Sequence, residues 1–278
     1  MSSRCLPSEE RCLLAFRGPD AVRYLNGQLT QDTRNLADTA LPACVTDAKG
    51  KLQAFVYVFR GNEDSIWIDA PSEQAEELET RLTRYLIADD VEVEDLTGQW
   101  KLIHVIDASQ APTVPDGALV RNASRAGCDG YDVWLPAGTS FETASLTGEE
   151  AETRRITTRT PAWGRELIPG MLPPEAGLDQ NAISYHKGCY IGQEVLSRIK
   201  SSGRLNRKLA AFLVGPEAAI GDTFAGEKRS TGSLTSIAPQ ANEDGLFPAL
   251  GFLDKSAFEK ADLMLAEKDG SVRVVSTI

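Results

Sequence analysis

The stretch that decides the fold and the site is Lys187-Gly-Cys-Tyr-Ile-Gly-Gln-Glu194, in which a cysteine stands between a glycine and a tyrosine. A short helix is predicted near residues 192–199, so Cys189 lies just before a helix N-terminus. Helix N-termini and nearby cations such as Lys187 lower the pKa of a thiol. The pattern favours a thiolate that ligates a soft metal or meets an electrophile, although a small, buried, apolar cysteine fits it as well.

The other residues of the motif also allow two interpretations. Gly188 and Gly192 permit a close backbone approach or unusual dihedral angles, which a tight turn would also use. The side chains of Gln193 and Glu194 match the N–H and C=O groups along the edge of a heterocycle. They are equally suited to capping the first turn of the following helix.

Positive charge is concentrated between Lys187 and Lys208, although the whole chain has a formal net charge of -11. Glu194 is the only acid of this segment, and six cations give it a local charge of +5: Lys187, Arg198, Lys200, Arg204, Arg207 and Lys208. This contrast predicts a site for a carboxylate tail, a phosphate or an RNA backbone. The alternative is a solvated basic face that acids elsewhere neutralise. The acidic remainder of the chain disfavours direct binding of nucleic acid.

The composition argues against several other classes of protein. The cysteines are scattered without any C-x-x-C pair, and only two histidines are present: Cys5, Cys12, Cys44, Cys128 and Cys189, with His104 and His186. A zinc site, a thioredoxin motif and a disulfide framework are therefore not supported, and a reducing compartment is expected. Neither a secretion signal nor an apolar run long enough to span a bilayer is recognisable, so we expect a cytoplasmic protein.

Hydrophobic periodicity predicts an α+β fold in which strands and helices are segregated. A helix over 72–87 carries one apolar face with Ser72 as its N-cap, a short helix follows Asp20, and Thr147-Gly-Glu-Glu150 is a capping box. Residues 157–185 are predicted to be irregular. The strands are predicted at 12–17, 41–47, 52–59, 65–69, 91–96, 101–107 and 131–135, and in a C-terminal unit at 209–214, 231–237, 248–253 and 271–277.

The motif around Cys189, followed by Arg198 and by residues 203–209, resembles the signature of the YgfZ family, which is related to the glycine-cleavage T-protein (GcvT, aminomethyltransferase). Three further segments resemble other parts of that family's pattern: Leu25-Asn-Gly-Gln-Leu-Thr-Gln-Asp32, Asp47-Ala-Lys-Gly-Lys51 and Pro173-Pro-Glu-Ala-Gly-Leu-Asp179. The resemblance covers essentially the whole chain. It implies a GcvT-like folate-binding α+β region of two subdomains over 1–205 and a C-terminal β-barrel domain over 206–278.

The resemblance also implies a function. The expected ligand is tetrahydrofolate or a folate derivative, and the expected role is accessory: iron–sulfur cluster assembly or repair, with indirect effects on tRNA modification. Partners would be iron–sulfur assembly proteins or client iron–sulfur enzymes. Cys189 would be the functional thiol and a transient contact for the cluster, assisted by Lys187. The folate contacts would come from the motif and the basic segment: Tyr190, Gly192, Gln193, Glu194, Arg198 and Arg204.

Two departures from the related T-protein narrow this expectation. The T-protein carries an aspartate pair where this chain has Ala54 and Phe55, and without a carboxylate aminomethyl transfer loses its electrostatic and acid–base partner. Relatives commonly read R-I-E-A-G-x-P, with the glutamate placed to bind the pterin, whereas Thr157 stands there in this chain. A true aminomethyltransferase is therefore disfavoured. A tetrahydrofolate-dependent one-carbon transferase with another substrate remains the alternative.

Overall fold

A computed structural model describes residues 3–226, 230–266 and 270–278. These residues form three five-stranded sheets, with the strands β1 (Arg4–Cys5), β2 (Arg11–Arg17), β3 (Leu41–Thr46), β4 (Leu52–Arg60), β5 (Ile66–Pro71), β6 (Glu92–Asp95), β7 (Trp100–Ile106), β8 (Leu119–Arg125), β9 (Cys128–Pro136), β10 (Ala144–Ser145), β11 (Arg207–Val214), β12 (Gly232–Ile237), β13 (Phe247–Asp254), β14 (Asp262–Met264) and β15 (Ser271–Thr277). The α-helices are α1 (Ala21–Gln28), α2 (Ala75–Thr83), α3 (Gly148–Thr157) and α4 (Gln193–Ser202). Short 3-10 helices span Thr33–Asn35, Ser72–Gln74, Pro173–Ala176, Leu178–Gln180 and Lys255–Ala257.

The first sheet has the antiparallel order β3-β4-β5-β2-β6 and is covered on both faces. Along β2, Leu14 and Phe16 pack with residues of α1 and α2, whereas Leu13 and Ala15 point to the opposite face. Successive side chains of a strand alternate between faces, so a strand that is buried on both sides needs a continuous apolar run. This requirement explains why residues 12–16 are all apolar.

The second sheet has the order β10-β1-β7-β9-β8 and packs against the face of the first sheet opposite to α1 and α2. An aromatic cluster fills the space between them. The ring of Phe59 stacks on Trp134 at a centroid distance of 5.5 Å, and Trp67 meets Trp134 edge-on at 6.4 Å. Each large aromatic ring buries a large apolar area, so this cluster stabilises the packing of the two sheets against each other. The cavity described below lies beside this junction.

The C-terminal sheet has the antiparallel order β12-β13-β11-β15-β14 and curls into a half-barrel. Isolated bridges join Thr223 to Ser233 and Phe224 to Leu265, so the segment at 223–224 spans the two edges of the sheet. The C-terminal β-barrel expected from the sequence is present in the described residues as this curled half-barrel. Its outer face packs on Leu52, Ile156 and other residues of the N-terminal region.

The α+β prediction is confirmed, with differences at several helix ends. The helix predicted over 72–87 begins as a 3-10 turn and ends at Thr83. Asp20 does not cap α1 with its side chain but accepts a hydrogen bond from the backbone N–H of Asp90. The capping box at Thr147 and Glu150 is present as expected.

β1, β8, β10 and β14 were not predicted from the sequence; three of these strands have only two or three residues each, and β8 lacks a clear apolar alternation. The stretch predicted to be irregular, residues 157–185, has no α-helix after the end of α3 at Thr157. Its helical elements are the 3-10 helices Pro173–Ala176 and Leu178–Gln180. The β-strands of the C-terminal sheet begin at Arg207. The division of the chain at 205/206 stays a prediction. No helix of the described chain is long and apolar enough to cross a membrane.

Candidate functional site

The loop that carries Cys189, residues 185–192, is held by the buried side chain of Lys187, and we call it the motif loop. The ammonium of Lys187 donates hydrogen bonds to the carbonyls of Asn26 (2.6 Å), Leu29 (2.7 Å) and Gln31 (2.6 Å). These carbonyls belong to the end of α1 and the residues after it, which have no partners inside the helix. Lys187 therefore ties the motif loop to the Leu25–Asp32 segment.

The ionisation of Lys187 reflects two opposing effects. Burial lowers its pKa to about 7, because a charged amine loses its hydration inside the protein. The three carbonyls oppose this shift, since only the ammonium form supplies three N–H donors. A side chain so occupied holds the position of its neighbours. It has no donor left for a bound molecule.

Three further hydrogen bonds join the motif loop, or Ser184 just before it, to other signature segments. The hydroxyl of Thr46, the residue before Asp47, donates to the carbonyl of Ile191 at 2.6 Å, and the N–H of Ile191 donates to the carbonyl of Gly27 at 3.1 Å. The N–H of Ser184 donates to the carbonyl of Thr30 at 2.9 Å. Two of the segments singled out in the sequence, Leu25–Asp32 and Asp47–Lys51, thus meet at the motif loop.

The glycines of the motif explain how closely these segments approach. Gly192 has φ +92° and would place a Cβ atom 2.7 Å from both the carbonyl oxygen of Asp47 and Oγ1 of Thr46. Gly50, at φ +69°, faces Gly192 across this contact and closes the predicted Asp47–Gly50 turn. An L side chain rarely adopts such φ values and would collide here. Gly192 thus shows both features that the sequence allowed, an unusual dihedral angle and a close backbone approach.

Cys189 is the exposed cysteine of the five, all of which are unpaired thiols within the described residues. Burial raises the pKa of Cys12 to about 11 and of Cys44 to about 12, so these thiols stay protonated and inert. Cys189 lies four residues before the first residue of α4. The alternative of a buried, apolar cysteine at 189 is therefore wrong.

The residues predicted to bind folate differ in burial and in position. Tyr190 is buried, with its ring 5.1 Å from the ammonium of Lys187, and its hydroxyl has no hydrogen-bond partner among the described residues. Gly192 packs on the hairpin turn. Gln193, Glu194, Arg198 and Arg204 lie on or near α4, and Glu194 pairs with Arg198 at 2.7 Å on its exposed face. That Gln193 or Glu194 caps α4 is not observed.

The +5 segment is partly neutralised by acids from elsewhere in the chain. Arg207 binds Glu175 at 2.9 Å and Lys200 lies 3.5 Å from Asp179. Lys187 is held by carbonyls, and Glu194, the acid already counted in the segment, pairs with Arg198. The two outside acids lower the local charge from +5 to +3, so the structure agrees in part with the alternative interpretation, a face offset by neighbouring acids.

A cavity of about 370 Å³ lies at the junction of the first two sheets with α3, and we call it the central cavity. Its walls combine aromatic rings with charged groups at the side chains of Glu9, Arg11, Phe55, Tyr57, His104, Arg125, Glu152, Arg155, Trp163 and Asn181. None of the predicted folate contacts is among the described residues that line it. Apolar walls with a few placed polar groups are typical of small-molecule sites.

The floor of the central cavity is a buried chain of charges that crosses both sheets. The Arg125 guanidinium donates to Asp69 at 2.8 Å and to Asp132 at 2.7 Å, and Arg11 donates to Asp69 at 2.8 Å. His104 lies between Asp132 (2.7 Å) and the carbonyl of Cys128 (2.9 Å). Arg125 also lies 3.9 Å below the ring centroid of Tyr57, so that ring is held as a fixed wall.

These residues were not identified from the sequence, although two acids inside apolar strands indicate buried ion pairs. Asp69 stands inside the apolar strand Ile66–Pro71, and Asp132 stands inside the apolar end of β9. Both carboxylates are fully buried. A charge at an inward position of a strand must be paired, which predicts a buried cation nearby.

The positions that depart from the T-protein lie in different places. Phe55 lines the central cavity, whereas Ala54 points to the opposite face of β4 and packs in the core under the helices. Thr157 is exposed, its hydroxyl donates to the carbonyl of Thr153 at 2.7 Å, and it does not line the cavity. The carboxylate that α3 does bring to the cavity is Glu152.

Replacing Lys187 with methionine tests its structural role. The buried carbonyl of Leu29 and the partly buried carbonyls of Asn26 and Gln31 would lose their donor. A buried unsatisfied group costs about 1–3 kcal/mol and a partly buried one less, so we expect a loss of about 2 kcal/mol or more in unfolding free energy. Cys189→Ala is the matched control and is expected to change it by less than about 0.5 kcal/mol, because the thiol is exposed. Urea unfolding measures both. Equal stability of the two variants would contradict the role assigned to Lys187.

The buried charge chain predicts a pH-dependent effect of Asp132→Asn. Burial alone would raise the pKa of Asp132, but Arg125 and His104 outweigh it and lower the pKa below 3.8. A lowered folded-state pKa means that the stabilisation is complete above pH 3.8 and is lost as pH falls through the folded value. We expect a deficit of about 3–5 kcal/mol at pH 6 that narrows toward pH 3. A deficit independent of pH in urea unfolding would contradict this.

Comparison with known proteins places the chain in a family. No family model matches it. An uncharacterized protein of Haemophilus influenzae is 30% identical over 242 residues, which cover 84% of this chain and 83% of that protein. The tRNA-modifying protein YgfZ of Klebsiella pneumoniae is 28% identical over 228 residues (72% and 68%). The mitochondrial iron-sulfur cluster assembly factor IBA57 homolog of Pyricularia oryzae is 27% identical over 215 residues (72% and 55%).

The fold has a solved counterpart as well. The aminomethyltransferase T of the glycine cleavage system from Bartonella henselae superposes with a TM-score of 0.81 at 15% identity, covering 98% of this chain and 85% of that one. At this identity the match speaks for the fold alone, and it confirms the GcvT-like architecture expected from the sequence. The sequence relatives, the shared architecture and the signature segments that meet at the motif loop agree: the chain belongs to the YgfZ family, which is related to the GcvT aminomethyltransferase.

Proposed function

We propose that this chain is a folate-binding accessory protein for iron–sulfur cluster assembly or repair, and that it affects tRNA modification through the iron–sulfur enzymes involved. The observation that carries the proposal is the presentation of Cys189, the exposed thiol of the chain, on a loop clamped by Lys187. The names of the relatives, a tRNA-modifying protein and an iron-sulfur cluster assembly factor, support the same role.

The residues of the central cavity fit a tetrahydrofolate. Phe55, Tyr57 and Trp163 offer ring faces for the pterin and aminobenzoyl groups. The carboxylate of Glu152 can accept hydrogen bonds from pterin N–H groups, and Arg11 can pair with a glutamyl carboxylate. When bound, a tetrahydrofolate supplies ring nitrogens that carry one-carbon units. The contacts predicted at Tyr190, Gly192, Gln193, Glu194, Arg198 and Arg204 are better supported as the framework and surface of the motif loop.

Cys189 would bind the iron–sulfur cluster transiently, as a substrate that is passed on. Among the described residues, no group of three or more His, Cys, Asp and Glu side chains is arranged to hold a metal. A thiolate at 189 can supply one ligand to iron, so the remaining ligands would come from an assembly protein or a client enzyme. An exposed thiol on a fixed loop suits a ligand that is shared and then released.

The alternatives receive less support. A one-carbon transferase needs an acid–base partner near the folate, and Phe55 stands in the cavity where the related enzyme has a carboxylate. Direct RNA binding needs a continuous basic surface, whereas the cations after Lys187 are largely paired. We also propose that the protein is cytoplasmic and that residues 206–278 form a separate C-terminal domain.

The Cys189→Ala variant tests the thiol. In a bacterial strain that lacks its own family member, we expect the variant to leave iron–sulfur enzyme activity at the level of the empty vector, because no other exposed thiol replaces it. The buried Cys5→Ala variant is the control and should restore activity at equal protein level. Full rescue by Cys189→Ala would remove the thiol from the proposal.

The Glu152→Gln variant tests the folate site. A hydrogen bond to a charged group contributes about 1.5–3 kcal/mol, so we expect the Kd for tetrahydrofolate to rise about tenfold or more. Glu149→Gln, on the exposed side of the same helix, is the matched control and should bind as the unmodified chain does. Isothermal titration calorimetry measures all three. Equal affinity of the two variants would place the folate elsewhere.

A further inference from the structure

A second cavity, of about 400 Å³, lies between α2 and the hairpin of β3 and β4, and we call it the α2 cavity. Ala54 lines it, whereas the next residue, Phe55, lines the central cavity. Because neighbouring side chains of a strand point to opposite faces, the sheet separates the two cavities. The α2 cavity is therefore a separate site, and its argument is independent of folate.

Its walls carry three cations and two acids. Lys51, Arg81 and Arg84 line the cavity, and none of them has an ion-pair partner among the described residues. The acids that also line it are Asp47 and Glu77. Asp47 is already committed, since its Oδ1 accepts hydrogen bonds from the N–H groups of Lys49 and Lys51, both at 2.8 Å.

Arg81 gives the strongest indication of an anion site, because all its hydrogen-bond acceptors are neutral. Its guanidinium donates to Oε1 of Gln53 (2.7 Å), Oε1 of Gln28 (2.8 Å) and the carbonyl of Thr46 (2.9 Å), all of which are neutral acceptors. Burial lowers its pKa, as expected for a cation that is partly removed from water. Three of its five N–H groups are used, so it can still pair with an oxyanion.

Gln74 gives a second, independent observation. Its side chain is 2% exposed and lines the α2 cavity. The N–H of Phe55 donates to its Oε1 at 3.3 Å, which fixes the orientation of the amide, and its Nε2 has no hydrogen-bond partner among the described residues. A buried donor left unsatisfied costs about 1–3 kcal/mol, and an acceptor in the cavity would relieve that cost.

We propose that the α2 cavity is a binding site for a small organic oxyanion, a phosphate ester or a carboxylate, held by Arg81, Lys51, Arg84 and the amide of Gln74. All the unused polar groups named here are donors, so the ligand group must be an acceptor, and three cations against two acids leave a net charge of +1 that favours an anion. The cavity of about 400 Å³ has room for a ligand larger than a bare phosphate.

The test is titration of the full chain with two probes, inorganic phosphate and glutarate, at constant ionic strength set with potassium chloride. Arg81→Gln removes three structural hydrogen bonds and risks unfolding. The informative variant is therefore Lys51→Gln with Arg84→Gln, whose side chains form no hydrogen bond or ion pair in the described structure. Lys101→Gln, on the exposed side of β7, is the matched control.

We expect saturable binding by the unmodified chain and by Lys101→Gln in calorimetry, and at least about tenfold weaker binding by the double variant at an unchanged unfolding temperature. Binding of phosphate alone assigns a phosphate ester, and binding of glutarate alone assigns a carboxylate. No saturable binding of either probe, or equal binding by the double variant, would overturn the proposal.

Discussion

The ammonium of Lys187 is the contact on which the arrangement around Cys189 depends. A chain that passes through Gly188 and Gly192 has little stiffness of its own, because glycine loses more freedom on folding than other residues. Three carbonyls of the Leu25–Asp32 segment accept hydrogen bonds from this ammonium and thereby fix the loop in one place. The thiol two residues later inherits this fixed position while it stays exposed.

The first sheet connects this clamp to the two cavities. Its β3–β4 hairpin contacts Gly192 at its turn, lines the central cavity with Phe55 and lines the α2 cavity with Ala54 and Lys51. Arg81 reaches from α2 to Thr46, which in turn binds the carbonyl of Ile191. A ligand on either face of this sheet therefore contacts a framework that also positions the motif loop.

Much of this could be predicted from the sequence, and the failures have physical causes. Apolar periodicity predicted most of the longer strands, because each of these strands buries at least one face. The capping box of Thr147 and Glu150 predicted the start of α3. The charge of residues 187–208 was misleading, because Glu175 and Asp179 precede that segment in the chain and meet it only after folding. Tyr57, Arg125 and Asp132 could not be assembled, since their pairing joins strands of two different sheets.

The carboxylates near the central cavity argue for holding a ligand rather than for turning it over. Burial alone would raise the pKa of Glu152, but Arg155 and Arg165 outweigh it and lower the pKa. A general base works best when its pKa lies near the working pH, so a carboxylate paired in this way is a weak one and a good hydrogen-bond acceptor. With Phe55 in place of the transferase carboxylate, the central cavity is better suited to holding the proposed folate than to exchanging protons with it, and the exposed thiol of Cys189 lies outside that cavity.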